Sequence, residues 1–217
     1  MRLLYKFFFA ALFGVLSVAH SAHARPVSYP GGWTSMLMND GYKNRLHIHY
    51  SPTVNTSVGY KFEYWRDQRT ALHAVQVNNL IKRWNNPDSQ ANLYLKSGIG
   101  MARSEAGNVD HQTRVAGFMG LAADWEDRRL FISYENRYTE LGGIDDFYQQ
   151  SVRVGVAPYI GDYGDLHTWL MLQVEHMPEH DKHVTITPMV RLFKGAHLLE
   201  VGISNHSKAL FNYIFRY

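Results

Sequence analysis

Charged side chains recur in segments that otherwise alternate between polar and apolar residues, and several of them lie two residues apart. Successive residues of a β-strand point to opposite faces, so two charges at this spacing share one face of the strand. A face that carries both signs supports one of two chemistries. The groups pair and fill an enclosed space, or they line a narrow, water-filled passage. The six candidates for this role are Lys61, Glu63, Glu135, Arg137, Arg153 and Arg191.

Two histidines, His47 and His49, have the spacing that places both imidazoles on one face of a strand. Two imidazoles so placed can bind one metal ion, and thioether sulfur beside them would suit copper. Met171 and Met189 are predicted to point to the same inner side. A hydrogen bond from each histidine to a neighbouring carboxylate is the alternative. Phosphate-binding glycine loops and zinc-type spacings are absent from the sequence, so we predict no cofactor and keep the histidine pair as a candidate metal site.

Catalysis by an activated nucleophile would need a serine, a histidine and an acid on one face. His73 is predicted to face outward near the start of the fourth strand, whereas Ser133 in the seventh strand is predicted to face inward. The sequence offers no serine, histidine and acid that follow the order of a known triad and also lie on the same face of their strands. We therefore predict no catalytic residue, and a triad assembled across strands stays open as an alternative.

The elements that must position these side chains are short strands separated by turn residues. Each break carries Gly, Pro, Asn, Asp or Ser, or at least a charged pair. This spacing predicts an all-β fold, a closed antiparallel up-and-down transmembrane β-barrel of about twelve strands. Ten strands is the alternative, because the first two and the eleventh are weakly patterned. The predicted strands span residues 31–39, 44–51, 56–66, 70–84, 91–103, 112–125, 129–139, 147–160, 166–176, 183–193, 196–204 and 208–217.

Residues 1–24 have the pattern of a cleaved N-terminal signal peptide and are excluded from the fold. Two basic residues open the segment, residues 7–18 form an apolar run, and residues 22–24 form a small-x-small cleavage site. Residues 25–217 are then predicted to form one domain, the barrel.

The composition limits the kinds of partner. The chain has 22 lysines and arginines against 19 aspartates and glutamates, and this near-balance argues against a nucleic-acid partner. It has no cysteine, so an exported form would be stabilised by burial and hydrogen bonds and not by disulfides.

The C-terminal segment shows the strongest alternation in the chain. Phe211, Tyr213, Phe215 and Tyr217 fall on one face of the last predicted strand. A final strand that ends on an aromatic residue resembles bacterial outer-membrane β-barrel proteins. The resemblance implies location in the bacterial outer membrane, contact with its lipid, and recognition of this strand by the barrel-assembly machinery.

Alternation does not say which face points outward, and a water-soluble barrel or sandwich would bury its apolar face. Three features favour lipid on the outside. Aromatic residues such as Trp33, Trp84 and Trp125 lie near strand ends, as in membrane interfaces. Apolar faces are continuous, as along residues 152–156, and the opposite faces carry charge in mid-strand. Charged residues facing lipid would each cost about 2–4 kcal/mol, so we predict that they face the lumen.

From a barrel of this size we predict a narrow passive channel for small solutes or ions, with the charged pairs at its constriction. The sequence does not identify the solute. Two alternatives stay open: a lipid-modifying enzyme of the outer membrane, and a closed structural or partner-binding barrel whose lumen is filled by ion pairs.

Overall fold

The computed structural model describes residues 26–105, 111–162, 164–179 and 183–217. Twelve antiparallel strands form one sheet, in which each strand pairs with its neighbours in sequence and the first pairs with the last. The predicted closed, antiparallel, all-β barrel is therefore confirmed, with twelve strands and not ten. No helix in these ranges is long and apolar enough to cross a membrane. The predicted signal peptide, residues 1–24, lies outside the described residues.

The observed strands follow the predicted ones closely. Eleven of the twelve begin and end within two residues of the predicted bounds. The exception is the eighth strand, which ends at Val156 because Pro158 follows and has no N–H to donate to a neighbouring strand. The strands are β1 Trp33–Asn39, β2 Lys43–Tyr50, β3 Thr56–Trp65, β4 Thr70–Asn85, β5 Ser89–Ser104, β6 Thr113–Asp127, β7 Leu130–Glu140, β8 Asp146–Val156, β9 His167–His176, β10 Val184–Lys194, β11 His197–Ile203 and β12 Ala209–Arg216.

The two ends of the barrel differ in what they carry. At one end, which we call the termini end, the Trp33 N–H donates to the Tyr217 carbonyl over 2.7 Å and the Tyr217 N–H donates to the Trp33 carbonyl over 3.0 Å. The turn between β2 and β3 lies at the same end. The turn between β1 and β2 lies at the other end, which we call the loop end. An even number of strands places both ends of the barrel sheet together, as predicted.

Apolar side chains cover the outside of the barrel, whereas the inside holds polar side chains together with several apolar clusters. Val152, Val154 and Val156 are all exposed, as are Leu170 and Leu172 on the neighbouring strand. The fully buried side chains include many polar ones: Thr34, His49, Ser57, Glu63, Asn78, Asn92, Glu200 and Asn212. So many buried charged and amide side chains are unusual for a water-soluble protein, where such groups are mostly exposed.

A β-bulge in β4 changes which side chains face inward at the termini end. The pairing of β4 with β5 shifts between Leu80 and Lys82, so Ile81 is an extra residue. As a result Lys82, which an unbroken alternation would direct inward, points outward and holds its ammonium 5.5 Å from the Trp84 ring centroid. Arg83 takes the inward position instead and donates from Nε to Asn92 Oδ1 over 2.7 Å. The alternation fails at Lys82 because one inserted residue exchanges the two faces of a strand.

Candidate functional site in the barrel lumen

The lumen encloses a cavity of about 220 Å³, which we call the central cavity. Its wall combines charged, amide and hydroxyl side chains with a few apolar ones. All six charged residues predicted from the sequence belong to its wall or to the ion pairs that cross it. The charged members of the wall are Arg45, Lys61, Lys96, Asp124, Glu126, Glu135, Arg137, Arg153, Glu175, Arg191 and Glu200.

Glu63 joins two distant parts of the barrel wall. Its fully buried carboxylate accepts from Arg137 Nη1 over 2.8 Å and lies 3.2 Å from Lys61 Nζ. Glu63 is on β3 and Arg137 on β7, which are four strands apart around the barrel. The ion pair therefore spans the lumen and divides its cross-section.

An aromatic ring supports both cations of this group. The Phe118 ring centroid lies 4.7 Å from Lys61 Nζ and 5.3 Å from Arg137 Cζ, within reach of a cation–π interaction. The ring fits because residue 98 is glycine, since a Cβ there would lie 2.4 Å from two ring carbons. Gly98, Phe118 and the Glu63 ion pairs therefore form one packed unit.

A second carboxylate, Glu200, collects two arginines and an amide. Arg191 Nη2 lies 2.7 Å from Oε1, Arg153 Nη1 lies 3.3 Å from Oε2, and Asn212 Nδ2 donates to Oε2 over 2.6 Å. Arg153 also donates from Nε to Gln173 Oε1 over 2.6 Å. The six candidate residues include both arginines but not Glu200, the carboxylate that joins them. Arg191 and Glu200 are register partners in the β10–β11 hairpin, so the turn at Gly195 could have identified the pair.

A third group links β2 with β9 near the loop end. Lys43 Nζ lies 3.2 Å from Glu175 Oε1 and donates to Gln149 Oε1 over 3.1 Å. Beyond this bridge a second space of about 320 Å³ opens at the loop end, and both residues of the ion pair line it. Lys43 therefore separates the central cavity from the loop-end opening. Lys43 was missed because it lies one residue before the predicted start of the second strand.

Asp40, in the turn before β2, also binds this group. Burial alone would raise the pKa of its carboxyl, but the cations of Lys43 and Arg45, with backbone N–H groups of Tyr42 and Lys43, hold that pKa below its usual range. Arg45 Nη2 lies 3.3 Å from Asp40 Oδ2. Arg45 shares the inner face with His47 and His49, so the alternation could have identified it.

Glu135 has a different partner from the one that its spacing suggested. Its carboxylate lies 2.8 Å from Lys96 Nζ, and the side chain is 43% exposed. Arg137, two residues away, binds Glu63 instead. Glu135 and Arg137 therefore each bind a charged residue on another strand.

The two candidate metal ligands lie together on the inner face of β2. The ring centroids of His47 and His49 are 4.7 Å apart, and both rings are buried. Met171 and Met189 do face inward, but they pack with Trp169 on β9 and β10. Within the described ranges, no group of three or more His, Cys, Asp or Glu could hold a metal ion. Metal binding by this pair stays a prediction.

The serine and histidine that were considered for catalysis lie on opposite faces, as predicted. His73 is exposed on the outside, where Nδ1 lies 2.7 Å from the Tyr60 hydroxyl. Ser133 lines the central cavity.

Comparisons with known proteins identify the fold. No protein-family model and no curated protein sequence matches this chain. A solved structure of the KdgM porin in complex with disordered oligogalacturonate matches with a TM-score of 0.52 and 12% identity, over 86% of this chain and 98% of that chain. A second structure of the KdgM porin matches over the same shares with a TM-score of 0.49. At this identity the likeness to the first structure shows a shared fold, the closed antiparallel barrel.

Proposed function

We propose that this protein is a bacterial outer-membrane β-barrel that forms a narrow passive channel for small solutes. The observation that carries the proposal is a charged cavity enclosed by a barrel whose outside is apolar. A closed barrel satisfies every backbone hydrogen bond between its strands, so it can cross lipid without a helix. The C-terminal strand, with its outward aromatic residues, would serve as the signal for the barrel-assembly machinery.

If the barrel is inserted in lipid, the energetic cost of an arginine on its outer face depends on how deep in the membrane that residue lies. Leu172, 40% exposed on the outside of β9, lies between Val154 and Pro188 on the neighbouring strands. We expect Leu172→Arg to lower the free energy of unfolding from lipid vesicles by about 2–4 kcal/mol, because arginine is costly at the membrane centre. Urea titration followed by tryptophan fluorescence measures this difference.

The matched control is Val184→Arg, at the loop end of β10. Its side chain is also exposed on the outside, but near the expected membrane interface, where arginine costs about 0–1 kcal/mol. Equal losses at the two positions would contradict insertion of this surface into lipid.

The lumenal charges favour small anions as the solute. The ion pairs of the lumen and its loop-end turn share five carboxylates among seven cations: Lys43, Arg45, Lys61, Lys96, Arg137, Arg153 and Arg191. Asp124 and Glu126 also line the cavity, so the excess of cations is confined to these ion pairs and gives only a weak preference for anions. The KdgM porin, whose barrel is similar, is described in complex with oligogalacturonate, a chain of sugar acids.

Planar bilayer recording of the refolded barrel tests this function. We expect steady openings. In a potassium chloride gradient, we expect the reversal potential to shift from zero toward the equilibrium potential of chloride. A bilayer that stays silent, although the barrel is folded as judged by its gel mobility before and after boiling, would overturn the channel.

A second candidate function is a closed barrel that binds a partner or supports the membrane. The ion pairs that cross the lumen favour it, since the Glu63–Arg137 and Lys43–Glu175 links narrow the path at two levels. This function predicts a silent bilayer with the wild-type barrel and openings only after one of these links is removed.

A further inference from the structure

The chain before β1 turns back into the barrel at the termini end. We call residues 26–29 the N-terminal strap. The Gly31 N–H donates to the Ser51 carbonyl over 2.8 Å, and the Ser51 N–H donates to the Gly32 carbonyl over 3.0 Å. Ser51 Oγ also accepts from the Ser28 N–H over 3.0 Å. The bond from Ser28 attaches the strap itself to the turn between β2 and β3, and the other two attach the residues that follow the strap.

The inner end of the strap binds a polar site on the wall. The Pro26 carbonyl accepts from Ser57 Oγ over 2.7 Å and from Asn78 Nδ2 over 3.2 Å. Both donors belong to fully buried residues, and Asn78 is oriented by a bond from Gln76 Nε2 to its Oδ1 over 2.5 Å. Proline has no N–H, so the carbonyl is the one polar backbone group that Pro26 must satisfy. The wall supplies two donors for it.

An apolar niche lies beside this polar site. Val27 is only 2% exposed and packs with Leu80, Tyr94 and Ala122, which come from β4, β5 and β6. Other apolar clusters lie on the inner side of the barrel, but this one is completed by a residue from the segment before β1. Its shape and chemistry fit the strap that occupies it.

We propose that the inner wall formed by β3 to β6 is a docking site for the chain's own N-terminal strap, and that the docked strap narrows the lumen at the termini end. Pro26 belongs to the wall of the central cavity, so the strap borders the space through which a solute would pass. The docking stands on the contacts alone, whereas its effect on conductance rests on the proposed channel function.

Disulfide trapping tests the docking without recording a current. The chain has no cysteine, so the double variant Val27→Cys with Ala122→Cys contains a single pair of thiols. We expect this pair to crosslink on mild oxidation of the folded barrel and to change its mobility on an unreduced gel. The control pair, Val27→Cys with Met189→Cys, places the second thiol on β10 and is expected not to crosslink. Absence of the first crosslink, or equal formation of both, would overturn the docking.

Conductance tests the narrowing. Val27→Asp places a charge in the apolar niche and is expected to release the strap and raise the conductance of every opening above that of the wild type. Asn78→Ala removes one anchor of Pro26 and is expected to act in the same direction. The control is Val54→Asp, an exposed residue of the β2–β3 turn at the same end, which is expected to leave conductance unchanged.

Each combination of results has a definite meaning. Conductance of Val27→Asp equal to that of the wild type and of Val54→Asp would overturn the narrowing. A wild-type barrel that is silent while Val27→Asp conducts would support it in a stronger form, as closure. If no variant conducts but the crosslink forms, the channel function fails and the docking stands.

Discussion

Glu200→Gln is expected to lower the free energy of unfolding by about 3–5 kcal/mol, because it removes the shared partner of two partly buried cations. The carboxylate is 2% exposed and holds Arg153, Arg191 and the amide of Asn212. Glutamine keeps the size of the side chain but carries no charge. The NH2 of the glutamine side chain would also face the guanidinium groups or Asn212 Nδ2, which are themselves donors and cannot accept a hydrogen bond from it.

Urea unfolding of the refolded barrel measures this effect, and the five tryptophans of the chain provide the fluorescence signal. The matched control is Glu135→Gln, since Glu135 also lies in the lumen but has a single cation, Lys96, and a side chain that is 43% exposed. Exposed ion pairs contribute about 0.2–1 kcal/mol, so the control should unfold close to the wild type. Similar losses for the two variants would contradict the central role of Glu200.

The second large effect is expected at the ion pair that crosses the lumen. Glu63→Gln and Arg137→Gln each break the link between β3 and β7, so each should widen the path and raise single-channel conductance. The two changes alter the lumenal charge in opposite directions. Glu63→Gln leaves Arg137 and Lys61 without their carboxylate and should strengthen the preference for anions, whereas Arg137→Gln should weaken it.

Single-channel recording in a salt gradient separates these two consequences. Conductance should rise in both variants, and the reversal potential should move in opposite directions. Lys194→Gln, an exposed residue at the termini end, serves as the control and should change neither quantity. The constriction would lie elsewhere if conductance stayed at the wild-type value or if both reversal potentials moved the same way. Gel mobility before and after boiling shows whether each variant has folded.

Most of the fold could be predicted because a barrel repeats one simple rule. Inward and outward residues alternate in every strand, and turn residues interrupt the alternation, so strand bounds follow from the pattern. The bulge at Ile81 could not be found in this way. Leu80 and Ile81 are both apolar, and either could take the outward position, so the sequence contains no mark of the inserted residue.

The inner face of the candidate site could also be predicted, but the ion pairs between distant strands could not. Alternation places Glu63 and Arg137 in the lumen without saying that β3 and β7 face each other closely enough for a bond of 2.8 Å. That distance depends on the curvature and tilt of the closed sheet. The N-terminal strap left no pattern at all, because four residues are too few to show a period.

Closure of the barrel determines the order in which the chain can fold. Most strands pair with a neighbour across a short turn, but β1 must find β12, and the hydrogen bond between Ser35 Oγ and the Tyr217 hydroxyl joins residues 182 positions apart. Ordering so long a segment carries the largest loss of chain entropy, so this seam forms after the hairpins. It is also short, since β1 has 7 residues and β12 has 8, against 16 in each of β4 and β5. The last contact to form is thus also the place where the wall can separate first.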